Sequence, residues 1–354
     1  MNSRVKRVKE IMVSKGIDYL ILGPGSNCFY LTGFREEQME RPILLVIGQE
    51  EAFFVAPKIY REQIEMLGFP GRFYGDEEDP YEKLSLRKGA TLAVDHDLWA
   101  YFLLNITSRF NPLRVSGAGE VMREVRKVKE EWEIEVMREG VKIAERSLWR
   151  FIPMIKEGME EVYLSRKLEE LMIEEGGEGS SFTPIVTSGP NTSMPHLRST
   201  RRKVKLGEPL VVDFGLKLRG YSTDTTRTFA LGEPDEEFLE VYNVVREAQE
   251  SAITAVGEGV RAMDVDRAAR LVISSSGYGE FFIHRTGHGV GIDVHEDPYI
   301  SQVNAEELIS NEVFTVEPGI YLPNKFGVRI EDMILVKGRE GLSFNSFTKE
   351  LIVL

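Results

Sequence analysis

Residues 284–298 read HRTGHGVGIDVHEDP and hold three of the chain's five histidines, His284, His288 and His295, among glycines at 287, 289 and 291. Imidazoles gathered this way suggest a site where they reach a metal or a substrate. A glycine-rich strand and turn that merely carries polar side chains is the competing reading, and the acidic residues weigh against it. In PLVVDFGLKLRGYSTDTTRTF an apolar strand delivers Asp213, Arg219 and Gly220 turn the chain, and a returning strand delivers Asp224. In VFTVEPGIYLPNKFGVRIEDM the order recurs, with Glu317 before the turn and Glu331 after it, at offsets of 104 and 107 residues. One such acid alone fits a strand-end turn or a solvent-facing position. An ionised carboxylate on a buried apolar strand, however, needs a cation. Four acids at matching places imply a shared cation, with His288 supplying an imidazole.

The charge of these four acids balances two dications. A carboxylate-dominated site with one histidine suits Mn, Co, Fe or Zn, and a pair of such metals about 3.5–4 Å apart activates water and clamps the oxygens of a tetrahedral intermediate. Calcium fits poorly, since there is no EF-hand loop. Cys28 is the sole cysteine, which rules out an internal disulfide and a zinc-thiolate cluster.

Two related half-domains explain how such residues meet. EGMEEVYLSRKLEELMIEEGG at 157–177 and EGVRAMDVDRAARLVISSSGY at 258–278 lie 101 residues apart, and each reads as an amphipathic helix closed by glycine. Each follows a long helix and precedes strands. Upstream, RVKRVKEIMVSKG and LWAYFLLNITSRF have helical spacing, whereas DYLILG, PILLVIG, AFFVAP and TLAVD are buried-strand runs. This alternation predicts an N-terminal α/β domain over 1–120 and a second domain over 121–354, joined through the charged stretch AGEVMREVRKVKEEWEIE. That stretch leads into a helix reaching about Phe151. Net charge is −13, which disfavours a nucleic-acid partner. The N-terminus lacks a signal-peptide core, and no segment approaches the ~20 apolar residues of a membrane span. The expectation is a cytoplasmic protein with no membrane partner. The glycines of GHGVG and GPGSN lack the strand–GxGxxG–helix setting of a nucleotide site.

Taken together, TSGPNTSMPH (187–196), VVDFG (211–215), STDTTRTF (222–229), HRTGHGVGIDVHE (284–296), TVEPGIY (315–321) and VRIED (328–332) resemble the creatinase/aminopeptidase/prolidase family across the whole chain. The resemblance implies an α/β N-terminal domain followed by an α+β pita-bread catalytic domain with internal pseudo-twofold duplication. It implies a homodimer with two divalent ions per subunit, Mn or Co first and Zn or Fe as alternatives. Asp213 is expected on one metal, Asp224 and Glu331 bridging both, and His288 and Glu317 on the other. Glu317 is also expected to relay a proton. His295 is expected to hydrogen-bond the substrate carbonyl or oxyanion, with His196 on the facing wall, and Arg329 to orient carboxylates. Phe182 and Val294 match positions lining a proline pocket, His284 either lines the site or supports it, and His96 is structural. All five ligand types are present, unlike in creatinase, and methionine aminopeptidases usually lack so long an N-terminal domain. The implied reaction is hydrolysis of an Xaa-Pro bond in a dipeptide. The alternatives are an Xaa-Pro aminopeptidase acting on longer peptides and a silent binding protein. One departure concerns the substrate's carboxylate. Some prolidases of the family carry arginine in an HExPR context, whereas HEDPYIS places Tyr299 there. A buried carboxylate needs a cation, and HLRSTRR offers Arg198, Arg201 and Arg202, with Arg198 the expected clamp.

Overall fold

Val5, Val8 and Met12 recur at helical spacing and are all buried along helix α1 (Ser3–Ser14), which gives way at Gly16, whose φ of 65° suits glycine. The computed structural model describes residues 3–354. The apolar runs that follow form strands β1 (Tyr19–Leu22), β2 (Leu44–Gly48), β3 (Ala52–Pro57) and β5 (Thr91–Val94). Two short strands, β4 (Gly71–Tyr74) and β6 (Arg114–Gly117), complete a six-stranded mixed sheet ordered β4-β3-β2-β1-β5-β6. Helices α2 (Ser26–Thr32), α3 (Arg61–Met66) and α4 (Ala100–Phe110) accompany it. Among these, Phe102 and Ile106 of α4 join Leu44, Val46, Val55 and Leu92 in one core.

This first compact unit ends at Arg126 and the second spans Lys127–Leu354. The division falls inside the charged stretch, a little after residue 120. The reason is helix α5 (Gly119–Arg126), which buries Val121, Met122 and Val125 and packs with α1. Helix α6 (Glu131–Phe151) then starts at a capping box in which Glu130 and Glu133 exchange side-chain and backbone hydrogen bonds.

In the second unit the two repeats appear as α7 (Glu161–Glu174) and α9 (Ala262–Ser275), which start 101 residues apart and end at Gly176 and Gly277, both at positive φ. Each follows a long helix, α6 or α8 (Glu236–Thr254). The first half contributes a sheet ordered β11-β8-β7, from β7 (Ile185–Ser188), β8 (Glu208–Phe214) and β11 (Thr225–Leu231). A small hairpin of β9 (Lys217–Leu218) and β10 (Tyr221–Ser222) turns through Arg219 and Gly220, both at positive φ. The second half contributes β12 (Gly287–Gly289), β13 (Glu296–Ile300), β14 (Val313–Val316), β17 (Asp332–Lys337) and β18 (Glu340–Ser343), ordered β13-β12-β14-β17-β18. A separate hairpin pairs β15 (Gly319–Leu322) with β16 (Phe326–Arg329). Among the described residues no helix is long and apolar enough to cross a membrane.

Candidate active site

Asp213 stands near the end of β8, and Asp224 immediately precedes β11, the strand that returns beside it. Glu317 follows β14 directly, and Glu331 occupies the short break between β16 and β17. The strands stitch the two halves together at this level. Glu331 N–H donates to the Thr226 carbonyl (3.1 Å), and the Arg329 backbone N–H donates to Thr228 Oγ1 (3.1 Å). Thr226 Oγ1 donates to Glu331 Oε2 at 2.6 Å and accepts from Arg329 Nε at 3.0 Å, fixing a carboxylate and a guanidinium with one hydroxyl. On the opposite face of the strand, fully buried Arg227 pairs with Asp332 at 2.7 Å and donates to the Glu331 carbonyl.

All four acids line one cavity of about 260 Å³, together with His288, Arg329, His284, His295, His196, Phe182 and Arg198. His288 Nε2 lies 3.2 Å from Glu317 Oε1 and 3.6 Å from Asp224 Oδ2. One ligand atom each from Asp224, His288 and Glu331 fall within 4.8 Å of one another. Asp213 is held differently. Its Oδ2 accepts from Arg329 Nη2 at 2.5 Å, while its Oδ1 is buried with no hydrogen-bond partner.

The electrostatics of this cluster favour added positive charge. Burial pushes the Asp224 carboxyl well above the usual carboxylate range, and the charges of Glu331 and Asp213 push it further. Glu331 rises in the same way, through burial and then Glu317 and Asp213. Asp213 is raised by burial against the opposing pull of Arg329. Glu317 is the exception: burial acts to raise it, but the hydrogen bond and charge of His288, with His284 and Arg329, hold it at about 2. Crowded carboxylates with an open buried oxygen fit divalent cations, whose charge reverses this penalty. Asp224, His288 and Glu331 converge closely enough to hold a cation, and Asp213 and Glu317 line the same cavity.

The other histidines divide by environment. His284 serves both alternatives left open by the sequence: it lines the cavity, yet its Nε2 meets Tyr321 OH at 2.9 Å and its Nδ1 meets the Arg285 carbonyl at 2.7 Å. Tyr321 OH also accepts from Arg329 at 3.1 Å, which links His284 to Asp213 through two side chains. The His295 ring lies edge-on to His288 with centroids 4.1 Å apart, and burial, then His288, lower its pKa to about 4. His196 reaches the cavity from the exposed loop after β7. His96 is exposed in the first unit, beside Asp95 and Asp97.

Two residues singled out from the sequence stand outside this lining. Val294 and Tyr299 do not line the cavity. Tyr299 pairs with His288 across β12 and β13, and its ring instead carries the guanidinium of Arg285 at 4.3 Å. Of the three arginines after His196, Arg198 lines the cavity, Arg201 does not, and Arg202 is bound to Glu208 and Ser188. The glycines flanking His288 answer to close packing. A Cβ on Gly287 would lie 1.8 Å from the Thr315 carbonyl oxygen, and one on Gly289 2.2 Å from that of Asp297. They admit neighbouring backbone. Sequence reasoning overlooked Arg285, Tyr321, Thr226 and Thr228. The threonines alternate in STDTTRTF, and that period-two signal places both on one strand face.

Residues 4–128 match the creatinase/prolidase N-terminal domain and residues 135–338 match metallopeptidase family M24. The chain is 32% identical to an Xaa-Pro dipeptidase of Pyrococcus horikoshii over 99% of each protein. A crystal structure of recombinant prolidase from Thermococcus sibiricus superposes with a TM-score of 0.95 at 38% identity, covering 99% of this chain and 98% of that one. An X-Pro aminopeptidase structure from Thermotoga maritima gives 0.84 at 32% identity, over 98% and 100% of the two chains. With its carboxylates, histidine and strand scaffold arranged in this way, the chain belongs to metallopeptidase family M24.

Proposed function

We propose that this metallopeptidase hydrolyses the Xaa-Pro bond of dipeptides with two divalent ions, Mn or Co in preference to Zn or Fe. The observation that carries the reading is the meeting of Asp213, Asp224, His288, Glu317 and Glu331 on one cavity that His196 and His295 also line. The dipeptidase name of the Pyrococcus relative supports it. When bound, the metals supply an activated water near neutral pH and polarise the substrate carbonyl. Asp213, Asp224, His288, Glu317 and Glu331 would hold the two ions, their four carboxylates balancing the charge. Arg329 leaves Asp213 Oδ1 free by engaging Oδ2, and Thr226 orients Glu331. His295 is neutral at pH 7 and donates an N–H toward the carbonyl oxygen, with His196 as its partner. Glu317 would take up the proton that the attacking water gives up and hand it to proline's nitrogen, which must be protonated as it leaves. Phe182 gives the proline ring an apolar wall. Arg198, which makes no hydrogen bond or ion pair among the described residues, meets the substrate's carboxylate. The homodimer implied by the family resemblance belongs to the same proposal, and exposed Tyr101, Leu104 and Leu113 are side chains a second copy can cover.

A second reading, an Xaa-Pro aminopeptidase, draws on the Thermotoga structure and on Tyr299 in place of an arginine. Metal-reconstituted protein assayed on Met-Pro, Met-Pro-Ala and Met-Ala separates the two. The dipeptidase reading expects Met-Pro to be cleaved by far the fastest. Preference for Met-Pro-Ala establishes the aminopeptidase, and equal cleavage of Met-Ala removes the proline requirement.

A further inference from the structure

We infer that Arg285, braced on the ring of Tyr299, binds the C-terminal carboxylate of the dipeptide alongside Arg198 and sets the preference for dipeptides. The inference rests on the dipeptidase reading and adds a residue that the ligand set does not include. The cavity is rich in acids, so a substrate anion entering it must be met by a cation that is not already committed. Three arginines line the cavity. Arg329 is engaged by Asp213, Tyr321 and Thr226. Arg198 and Arg285 make no hydrogen bond or ion pair through their side chains among the described residues. Between these two, Arg285 has the better-defined position: its guanidinium lies over the Tyr299 ring at 4.3 Å, while its chain neighbour His284 is fixed by Tyr321. Stacking on an aromatic face leaves the edge of the guanidinium free for two parallel hydrogen bonds to a carboxylate. It also removes rotamer freedom before the substrate arrives, so less is lost on binding. Tyr299, standing where other prolidases have a cation, thus contributes by positioning one that originates three residues before His288.

The test compares KM and kcat for Met-Pro, Met-Pro-amide and Met-Pro-Ala in wild type, Arg285→Gln and Tyr299→Leu, with metal content measured on each protein. Arg285→Gln should raise KM for Met-Pro by about 10- to 100-fold, the range expected for one charged hydrogen-bonding partner, and affect the amide and the tripeptide much less. Tyr299→Leu should raise KM for Met-Pro selectively by about 2- to 5-fold, as expected for loss of an exposed cation–π contact. An equal rise for acid and amide, an unchanged KM for Met-Pro, or loss of metal in Arg285→Gln would overturn the assignment. No selective change in Tyr299→Leu would overturn the bracing role. If wild type prefers Met-Pro-Ala, the dipeptidase reading itself falls, an outcome visible before any variant is made.

Discussion

At the scale of single residues, the centre is defined by charges that cannot coexist without a counterion. Asp224→Asn or Glu331→Gln removes a charge proposed to hold the ions. Each should weaken metal affinity by at least the roughly 10- to 100-fold typical of losing an outer hydrogen-bonding partner. Turnover should fall in parallel, and wild-type metal content in either variant would contradict the ligand assignment. His295→Ala should lower kcat about 10²- to 10³-fold, as for loss of one oxyanion donor, with metal content retained; metal lost in proportion to activity would make His295 a ligand. The carboxyl shifts also set a pH dependence. For Asp213, Asp224 and Glu331 the folded pKa lies above the ordinary value, so the metal-free folded state binds more protons than the unfolded chain. Their contribution therefore destabilises the metal-free fold as pH rises above about 4, while Glu317, held at about 2, contributes stability that is fully present above its ordinary carboxylate pKa and is lost progressively as pH falls from there to about 2. Added Mn should raise Tm more at pH 7.5 than at pH 5.5, because protons compete with the metal for the same groups. Equal shifts, measured by scanning calorimetry, would contradict this.

At the scale of elements, helices α7 and α9 do equivalent work in the two halves. Glu161, at the start of α7 and fully buried, accepts from Ser188 N–H and Oγ, Asn191 Nδ2, and Thr200 N–H and Oγ1. It thereby pins both ends of the loop bearing His196 and Arg198. In α9, buried Asp266 accepts from the Thr286 N–H and Oγ1, and Arg270 donates to the Phe282 and His284 carbonyls, which fixes the approach to His288. Ser165, at the place in α7 that Asp266 holds in α9, binds the Pro184 carbonyl at 2.6 Å. Glu161→Gln replaces an acceptor with a donor, so at least one buried group loses its partner at about 1–3 kcal/mol. The expected result is a lower Tm and faster proteolysis within 189–200; unchanged cleavage there would mean the loop is held by other contacts. The elements differed in how far the sequence disclosed them. The duplicated helices, the paired acids and the long apolar strands were readable because periodicity and burial agree there. Strands β4 (GRFY) and β6 (RVSG) were not, since four residues containing arginine and glycine carry no pattern. The charged run before α6 looked continuous. Its break comes from tertiary partners: Lys129 is buried against Glu296 at 2.8 Å, and Glu130 caps the next helix. The Arg285–Tyr299 stack likewise depends on side chains from different segments meeting, which no local spacing reveals.

For the whole molecule, the pairing of a creatinase/prolidase-type first unit with a duplicated M24 unit places this chain among enzymes whose second unit carries the acids from both halves. Neither half has a complete set: Asp213 and Asp224 come from one, His288, Glu317 and Glu331 from the other. Metal binding should therefore couple the two halves and stabilise the second unit as a piece. Sedimentation of the full chain at micromolar concentration should show a dimer, and a monomer there would contradict the proposed assembly. On this proposal, two divalent ions held by these five residues support dipeptide hydrolysis. The most direct measurement is a titration of Mn into chelator-treated protein, following bound metal by equilibrium dialysis and Met-Pro turnover in the same samples. Two ions bound per chain, with turnover rising as they bind and abolished again by chelator, is the expected result. Full turnover of Met-Pro without divalent metal, or saturation of the chain with no gain in turnover, would contradict it.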